Sequence, residues 1–509
     1  MVDKKYQSYY TKEDNILTAM VSDLDLRESD TILEPAAGDG VFVQKILGTM
    51  IPKKIDAFDI DPNAIVTLEK VFKNTDLVNI FNSDTLLDNT LDEIVDSDTN
   101  KYTKIIGNPP WGAWNDISRR KKLALMYPEA YSNESYSLFL SRCLDVLKDN
   151  GRLCFIIPDT FLYTHNETSL REKILTQTKI ISIKLFPSKL FPGVSFGYSK
   201  ICIITLEKKE NIHQSAHYIK IYTNINDSST LLNLKKATKL TLKQSDVFNN
   251  NHHAFLFSES DIVNEYLLSN QLTGPMSRNF TTLGELADCV TGIYTGDNKK
   301  FLKVKNMNVR FSKGYSVIRE QDICYKEYSN YGFSSETYIP LVKGSADDRY
   351  VERQDNWFIN WSTEAIQYYK NNNKARFQNP EYYFKPGIAF PMLKSKSMAA
   401  CIMRNRVFDQ SIVGVFPKND ELSYYLLAVM NSHVFRDFIN TINPTSNNSA
   451  NYLKRVPIPI IGRNDIRDLE MKVKKIINKN CSDDIDERSV DSIVTELYRN
   501  SLIVSNEVE

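Results

Sequence analysis

Asparagine, two prolines and a tryptophan stand in a row at Asn108-Pro109-Pro110-Trp111, directly after the apolar pair Ile105-Ile106. Proline has no N–H to give a strand ladder, so the two prolines end the strand that the apolar residues begin. The residue types also specify a chemistry. The Asn108 side-chain oxygen and the Pro109 carbonyl are hydrogen-bond acceptors that can each take one N–H of an amine. Rigid prolines hold the carbonyl in place with no competing donor, which is electrostatic preorganisation. The Trp111 indole offers a flat face for stacking on a planar ring.

A second set of residues lies upstream. Leu33 to Gly40 reads LEPAAGDG, between an apolar run and the helical pattern VFVQKIL. Small residues at such a turn let the backbone approach a ligand closely, as in nucleotide-binding folds. The turn is neither GxGxxG nor GxxxxGK[ST], so it need not cradle a phosphate. Asp59, in Phe58-Asp59-Ile60-Asp61-Pro62, ends the next apolar run. A carboxylate there can accept hydrogen bonds from both hydroxyls of a ribose. Asp84, in Asn82-Ser83-Asp84, ends a third segment, where it can accept from an adenine amino group. In this order, ahead of Asn108, the residues describe an adenosine-containing cofactor lying across the carboxyl ends of a sheet.

The elements that must position these residues alternate. TILEP, KIDAFDI, YTKIIGN, GRLCFIIP and KICIITLE read as buried strands; VFVQKIL, NAIVTLEKVF and SLFLSRCLDVLKD read as helices. That alternation over 31–205 predicts an α/β fold, a parallel, doubly wound sheet of Rossmann-like type. A polar, Asn/Ser-rich stretch over 210–255 places a junction around 225–255. Shorter apolar pieces and many aromatics over 280–460 predict an α+β domain. The expected domains are therefore 1–230, 255–460 and a helical C-terminal tail over 461–509.

Composition narrows the class. The chain has 509 residues, is 42% hydrophobic and carries no net charge. Residues 211–460 nevertheless hold 29 Lys and Arg against 22 Asp and Glu, a basic middle compatible with phosphate contact. Seven dispersed cysteines without CxxC argue against structural zinc and against a disulfide framework, so no metal is expected. No apolar run approaches the ~18–20 residues of a membrane span, and MVDKKYQSYY is no signal peptide. The expected location is the prokaryotic cytosol, with no membrane partner.

The ordered motifs resemble those of the gamma-class S-adenosylmethionine-dependent DNA adenine-N6 methyltransferases of restriction–modification systems. QSYYTKEDNILTAMV looks like the family's segment over the methionine moiety, with Lys12 where proline is usual. SLFLSRCLDVLKDNGRLCFIIP resembles the segment beneath the target pocket, and KLFPGVSFGYSKICII the strand pair that presents an aromatic ring to a flipped base. TLGELADCVTGIYTGDNKKFL, FDQSIVGVFP and LLAVMNS…NYLKRVPIP are similar to target-recognition domains of type I and type IIG proteins.

The resemblance implies a mixed sheet, with S-adenosyl-L-methionine as cofactor, held by Tyr10, Thr11, Glu34, Pro35, Ala36, Gly38, Asp59, Ile60, Asp84, Asn108 and Phe139. Asn108, Pro109, Pro110 and Trp111 are the implied catalytic residues. Phe191 is the second ring on the target base, with Phe186 and Phe196 as competitors. The partner is double-stranded DNA with a specific recognition sequence, contacted by Thr295, Gly296, Asn298, Lys299 and Lys300. Trp357, Trp361, Tyr382, Tyr383 and Phe384 lie among Arg349, Arg353, Arg376 and Lys385, a pattern that suits DNA contact and equally an aromatic core. The implied protein is a monomer, with a cognate endonuclease, if any, encoded separately. A Pro158-Asp159…Glu207-Lys208-Lys209 pattern fits a nuclease motif only formally, because its parts fall in expected sheet strands. No cysteine follows a proline, which speaks against cytosine-C5 chemistry. The rival readings are a methyltransferase acting on RNA or protein glutamine, and a non-catalytic DNA specificity subunit.

Overall fold

A computed structural model describes residues 11–112, 117–190, 200–209, 217–273, 279–325, 331–344, 349–394, 398–443, 447–479 and 484–503. The chain forms two compact units, Met1–Phe257 and Ser258–Glu509.

In the first unit the strands are β1 (Thr31–Glu34), β2 (Lys54–Asp59), β3 (Val78–Asn82), β4 (Tyr102–Gly107), β5 (Leu147–Pro158), β6 (Thr178–Pro187), β7 (Lys200–Lys208), β8 (Tyr218–Thr223) and β9 (Thr238–Lys243). The helices include α1 (Asp14–Asp23), α2 (Val41–Leu47), α3 (Pro62–Phe72), α4 (Thr90–Ile94), α5 (Ile117–Met126), α6 (Ser135–Val146) and α7 (Thr168–Gln177). One sheet joins the strands in the order β3-β2-β1-β4-β5-β7-β6-β8-β9. Neighbours from β3 to β5 are parallel, and β7 runs antiparallel between β5 and β6. The doubly wound parallel part is what the alternation of strand and helix patterns predicts, and the antiparallel β7 makes the sheet mixed, as the family resemblance implies.

Central strands are apolar along their length because both faces are covered: Ile32, Leu33, Ile105, Ile106 and Leu153 through Ile157 are all buried. The apolar runs reveal these strands and miss β3, β6, β8 and β9. TKLTLK in β9 alternates half-exposed and exposed residues, an edge pattern rather than an apolar run. β8 lies just before the expected junction and β9 within it, and the two compact units divide after Phe257. Helix α6 ends at Val146, although its apolar pattern continues to Asp149; Leu147 is already extended and Asn150 is left-handed.

The chain runs from β1 outward through β2 and β3, then returns to β4 on the other side of β1. At such a reversal the connections leaving two neighbouring strands diverge, and a crevice opens at their carboxyl ends. The turn after β1 and the Asn108 loop after β4 form its two walls.

Among the described residues the second unit holds three sheets, one of them the antiparallel pair of Phe280–Thr282 with Pro457–Pro459. Ala287–Thr291, Ile412–Pro417, Gly387–Pro391 and Cys401–Met403 form the second in that order. Ser316–Val317, Leu302–Val304, Trp357–Asn360, Tyr338–Val342 and Val407–Phe408 form the third. The helices of the C-terminal stretch, Arg463–Asn478 and Asp484–Ile503, bury Leu469, Val473, Val494 and Tyr498 in the same apolar cluster as Leu426 and Val429. The C-terminal stretch is helical, as expected, and packs into that unit's core.

Gly40, the N-cap of α2, adopts a φ of 78°, and a Cβ there would meet Leu68 and Phe72 at 2.7 Å. Neither the backbone nor the packing admits a side chain. Gly40→Ala is expected to destabilise the first unit by about 1–3 kcal/mol, measured as a lowered denaturant midpoint by circular dichroism.

Candidate active site

The wall formed after β1 is fixed by backbone hydrogen bonds to β2. Ala37 N–H donates to the Phe58 carbonyl at 2.8 Å, and Gly38 N–H donates to Asp59 Oδ2 at 2.7 Å. Asp59 Oδ1 accepts from Asp61 N–H at 2.8 Å. Asp59 therefore ties the two strand ends together, and each of its oxygens keeps lone-pair capacity for a ligand hydroxyl. Ile60 beside it is 44% exposed, an apolar surface at the end of the strand. Pro35 is buried, while Ala36 and Gly38 are half-buried along the same turn.

Three carboxyl groups meet at this turn. Burial holds Glu34 well above the usual carboxylate range, and the negative charges of Asp39 and Asp59 push it further. Burial raises Asp39, with Lys12 opposing, and burial also raises Asp59 against the N–H groups of Asp61 and Gly38. Glu34 Oε2, Asp39 Oδ1 and Thr11 Oγ1 are buried without a hydrogen-bond partner. Such groups are rare in folded proteins, and here they mark a place that a ligand completes. An adenosine-containing ligand that carries positive charge relieves this electrostatic tension, whereas a phosphate deepens it. The residues present therefore fit S-adenosylmethionine better than a nucleotide phosphate.

Thr11 is not a helix cap. Helix α1 starts at Asp14 behind Glu13, which leaves the buried Thr11 hydroxyl for another partner. Tyr10 lies outside the described residues. Asp84 is already engaged: Oδ2 pairs with Arg119 and Oδ1 accepts from Leu86 N–H at 3.1 Å. A ligand amine there would share a committed carboxylate. Thr85 Oγ1 donates to the Pro35 carbonyl at 2.6 Å and so couples the third strand end to the first. Phe139 is buried in α6.

The second wall begins at Gly107. A Cβ on this residue would stand 3.4 Å from the Pro35 ring, so the Asn108 loop leaves the sheet against the β1 turn. Its exit is clamped by the head of α6. Gly112 N–H donates to Glu134 Oε2 at 3.1 Å, and the Gly112 carbonyl accepts from Ser135 N–H at 3.2 Å and Ser135 Oγ at 2.8 Å. Glu134 is raised from the usual carboxylate range by burial. Neither Glu134 nor Ser135 carries a periodic signal, because a clamp made across 22 residues of chain is visible only in the fold. Pro109 is buried, Asn108 and Pro110 are half-buried, and Trp111 is inside the apolar cluster of the unit. Phe191 and Phe196 lie outside the described residues. Phe186 is buried in β6 opposite Ile201, so it serves sheet packing.

Asp159 follows β5, the neighbour of β4. It is 3% exposed, its Oδ1 has no hydrogen-bond partner, and burial pushes its carboxyl up to about 6. The nuclease pattern does not assemble around it. Pro158 pairs with Ile201 and Arg152 with Glu207, so Asp159 and Glu207 occupy opposite ends of the β5–β7 ladder, about 20 Å apart at ~3.3 Å per residue.

In the second unit, the stretch Thr295–Lys300 is a structural turn. Thr295 is buried and donates to Asn298 Oδ1 at 2.8 Å, Asp297 caps Lys300 N–H at 3.2 Å, and Lys300 lies over the Phe301 and Tyr368 rings. A Cβ on Gly296 would meet Ala375 N at 2.9 Å, so the turn packs on the chain beside it. Lys299 is exposed. Trp357, Trp361 and Tyr383 are buried aromatic core, and Tyr382 donates to Asp288.

Residues 44–191 match the family described as Eco57I restriction-modification methylase. The chain is 23% identical over 351 residues to the type II methyltransferase M.HindII of Haemophilus influenzae, covering 63% of this chain and 60% of that protein. It is 25% identical over 320 residues to M.AccI of Acinetobacter calcoaceticus, covering 60% and 55%. The chain thus spans less than two thirds of these relatives. Among solved structures, the type IIL restriction-modification enzyme MmeI in complex with DNA aligns with a TM-score of 0.60 at 12% identity, over 99% of this chain and 79% of that one. The DrdV–DNA complex aligns with a TM-score of 0.51, also at 12% identity, over 92% and 57%. At such identities the structural likeness is one of fold.

The Asp159 carboxyl binds its proton more tightly folded than unfolded. Its charged form therefore costs stability above about pH 6, and the cost is relieved as pH falls towards the ordinary aspartate range. Asp159→Asn should remove up to about 3 kcal/mol of that acid-side gain, seen as a flatter melting-temperature profile between pH 7 and 4 than the wild type shows.

Proposed function

We propose that the chain is an S-adenosylmethionine-dependent DNA methyltransferase of a restriction–modification system, transferring methyl to the exocyclic N6 of an adenine flipped from a specific duplex site. The observation that carries this reading is the juxtaposition of the Asn108 loop with the acidic turn after β1, both clamped in place. The family match over 44–191 and the type II methyltransferase relatives support the reaction class.

When bound, the cofactor supplies an electrophilic methyl group on a positively charged sulfur. The residues of the chain prepare the acceptor. An adenine amine is a poor nucleophile because its lone pair is delocalised into the ring. Asn108 Oδ1 and the Pro109 carbonyl accept its two N–H bonds, which favours a tetrahedral nitrogen with its lone pair directed at the methyl. Pre-placed acceptors need no reorganisation during the reaction, and removal of one such group typically costs roughly 100- to 1000-fold in turnover. Glu134 and Ser135 hold the loop through Gly112. The Trp111 indole can stack on the adenine; such stacking is worth roughly 1–3 kcal/mol. In the same reading Asp59 holds the ribose, Glu34 and Thr11 lie along the charged end of the cofactor, and the second unit reads the sequence. The protein acts as a monomer, with any cognate endonuclease encoded separately.

Transfer of tritiated methyl should appear in duplex DNA and not in RNA or protein; label confined to either of the latter rejects the reading. Asn108→Ala should lower turnover by at least roughly 100-fold while calorimetric affinity for the cofactor stays within a few fold. Near-normal turnover by this variant would show that the amide does not activate the amine.

A further inference from the structure

The second unit contains a cleft of about 480 Å³ that is separate from the Thr295–Lys300 turn itself. Its walls come from three segments locked together by backbone bonds. Ile293 N–H donates to the Phe408 carbonyl at 2.9 Å, and Gln410 N–H donates to the Ile293 carbonyl at 2.8 Å. Tyr294 and Arg376 exchange backbone hydrogen bonds at 3.1 and 2.8 Å. Gly292 allows this approach, because a Cβ there would lie 2.0 Å from the Phe408 carbonyl oxygen. Leu393 bridges to Asn447 on the remaining side.

The lining is unusual in its side-chain chemistry. Arg376, Gln378, Gln410 and Asn447 line the cleft together with Leu393, which is 60% exposed. Lys343 also lines it, but its ammonium is paired with the buried Asp409 carboxylate at 3.0 Å. Asp409 in turn accepts from Ser411 N–H at 2.9 Å, and Ser411 Oγ accepts from Gly344 N–H at 2.9 Å. Gln378 is committed to the Gly292 carbonyl at 2.7 Å. The cleft thus presents one exposed guanidinium, amides that both donate and accept, and an apolar side chain, on a fixed frame.

A phosphate site gathers unpaired cations and N–H groups. Here the lysine charge is cancelled within the wall, and acceptors are as available as donors. That mixture matches base edges in the major groove, where arginine pairs with guanine, asparagine or glutamine with adenine, and an apolar group with the thymine methyl. We infer that this cleft is the sequence-reading surface of the second unit, with Arg376, Gln410 and Asn447 contacting base edges and Leu393 contacting a base methyl group. The inference rests on the proposal that the substrate is duplex DNA, and it moves the reading residues away from Lys299 and Lys300.

The test uses the full chain and two readouts. A pool of random-sequence duplexes is selected by binding, and methylated adenines are mapped on the same pool. Arg376→Ala, Gln410→Ala and Asn447→Ala change side chains that are exposed or half-buried, and should each relax the selected sequence at one base pair. Affinity for the wild-type consensus should fall roughly 5- to 150-fold, the range of a single bidentate base contact. Unchanged selected sequences in all three variants overturn the inference. So does a loss of affinity that is uniform across sequences and accompanied by a shallower salt dependence, which identifies a phosphate contact. If the wild type selects a duplex sequence but methylates none, the proposed chemistry fails while a shift of that sequence in the variants still supports the reading surface. A wild type that selects no duplex sequence overturns both.

Discussion

The parallel pairing of β1 with β4 is the constraint on which the first unit depends. It sets Leu33 opposite Ile105, and the two strands end at Glu34 and Gly107, one and two residues further on. Gly107, at the end of β4, lies within van der Waals reach of the Pro35 ring. A one-residue slip in this register would move the Asn108 loop along the sheet relative to the turn after β1. The cofactor turn and the acceptor loop would separate with it.

The electrostatics follow from that placement. Glu34, Asp39 and Asp59 come from the end of one strand, the turn after it and the end of its neighbour. Each loses hydration near the others, so the turn favours protons or a cationic ligand and disfavours phosphate. A sheet that in other proteins holds a pyrophosphate at a helix N-terminus here carries negative charge in that place. The change of ligand class needs no change of fold.

The second unit uses a different strategy. Its frame is short strands and isolated bridges, and rigidity comes from close backbone approaches such as that of Gly292 to Phe408. Buried pairs such as Lys343–Asp409 complete the frame without adding net charge to the surface. The two adjacent lysines of Thr295–Lys300 attract attention in the sequence; in the fold Thr295 and Asp297 bond within the turn, Lys300 lies over two aromatic rings and Lys299 is exposed. Arg376 and Gln410 stand 34 residues apart and share no motif, but bridges from Tyr294 and Ile293 bring them to one cleft.

The sequence alone determined the fold class and the order of the motif-bearing turns after the strands, because each is written in contiguous residues. Apolar runs report burial on both faces, and Asn-Pro-Pro-Trp, LEPAAGDG and the aspartate after β2 act through local backbone geometry. Only the tertiary structure decided which of the named groups are committed elsewhere. Arg119 reaches Asp84 from 35 residues away, Glu134 and Ser135 grip Gly112, and Thr11 is left uncapped with its hydroxyl buried. It also separated Asp159 from Glu207 and drew the reading surface together from distant loops. The physical reason is common to all of these. Hydrogen bonds and ion pairs between remote residues depend on strand order and register, which no local pattern of residue types encodes.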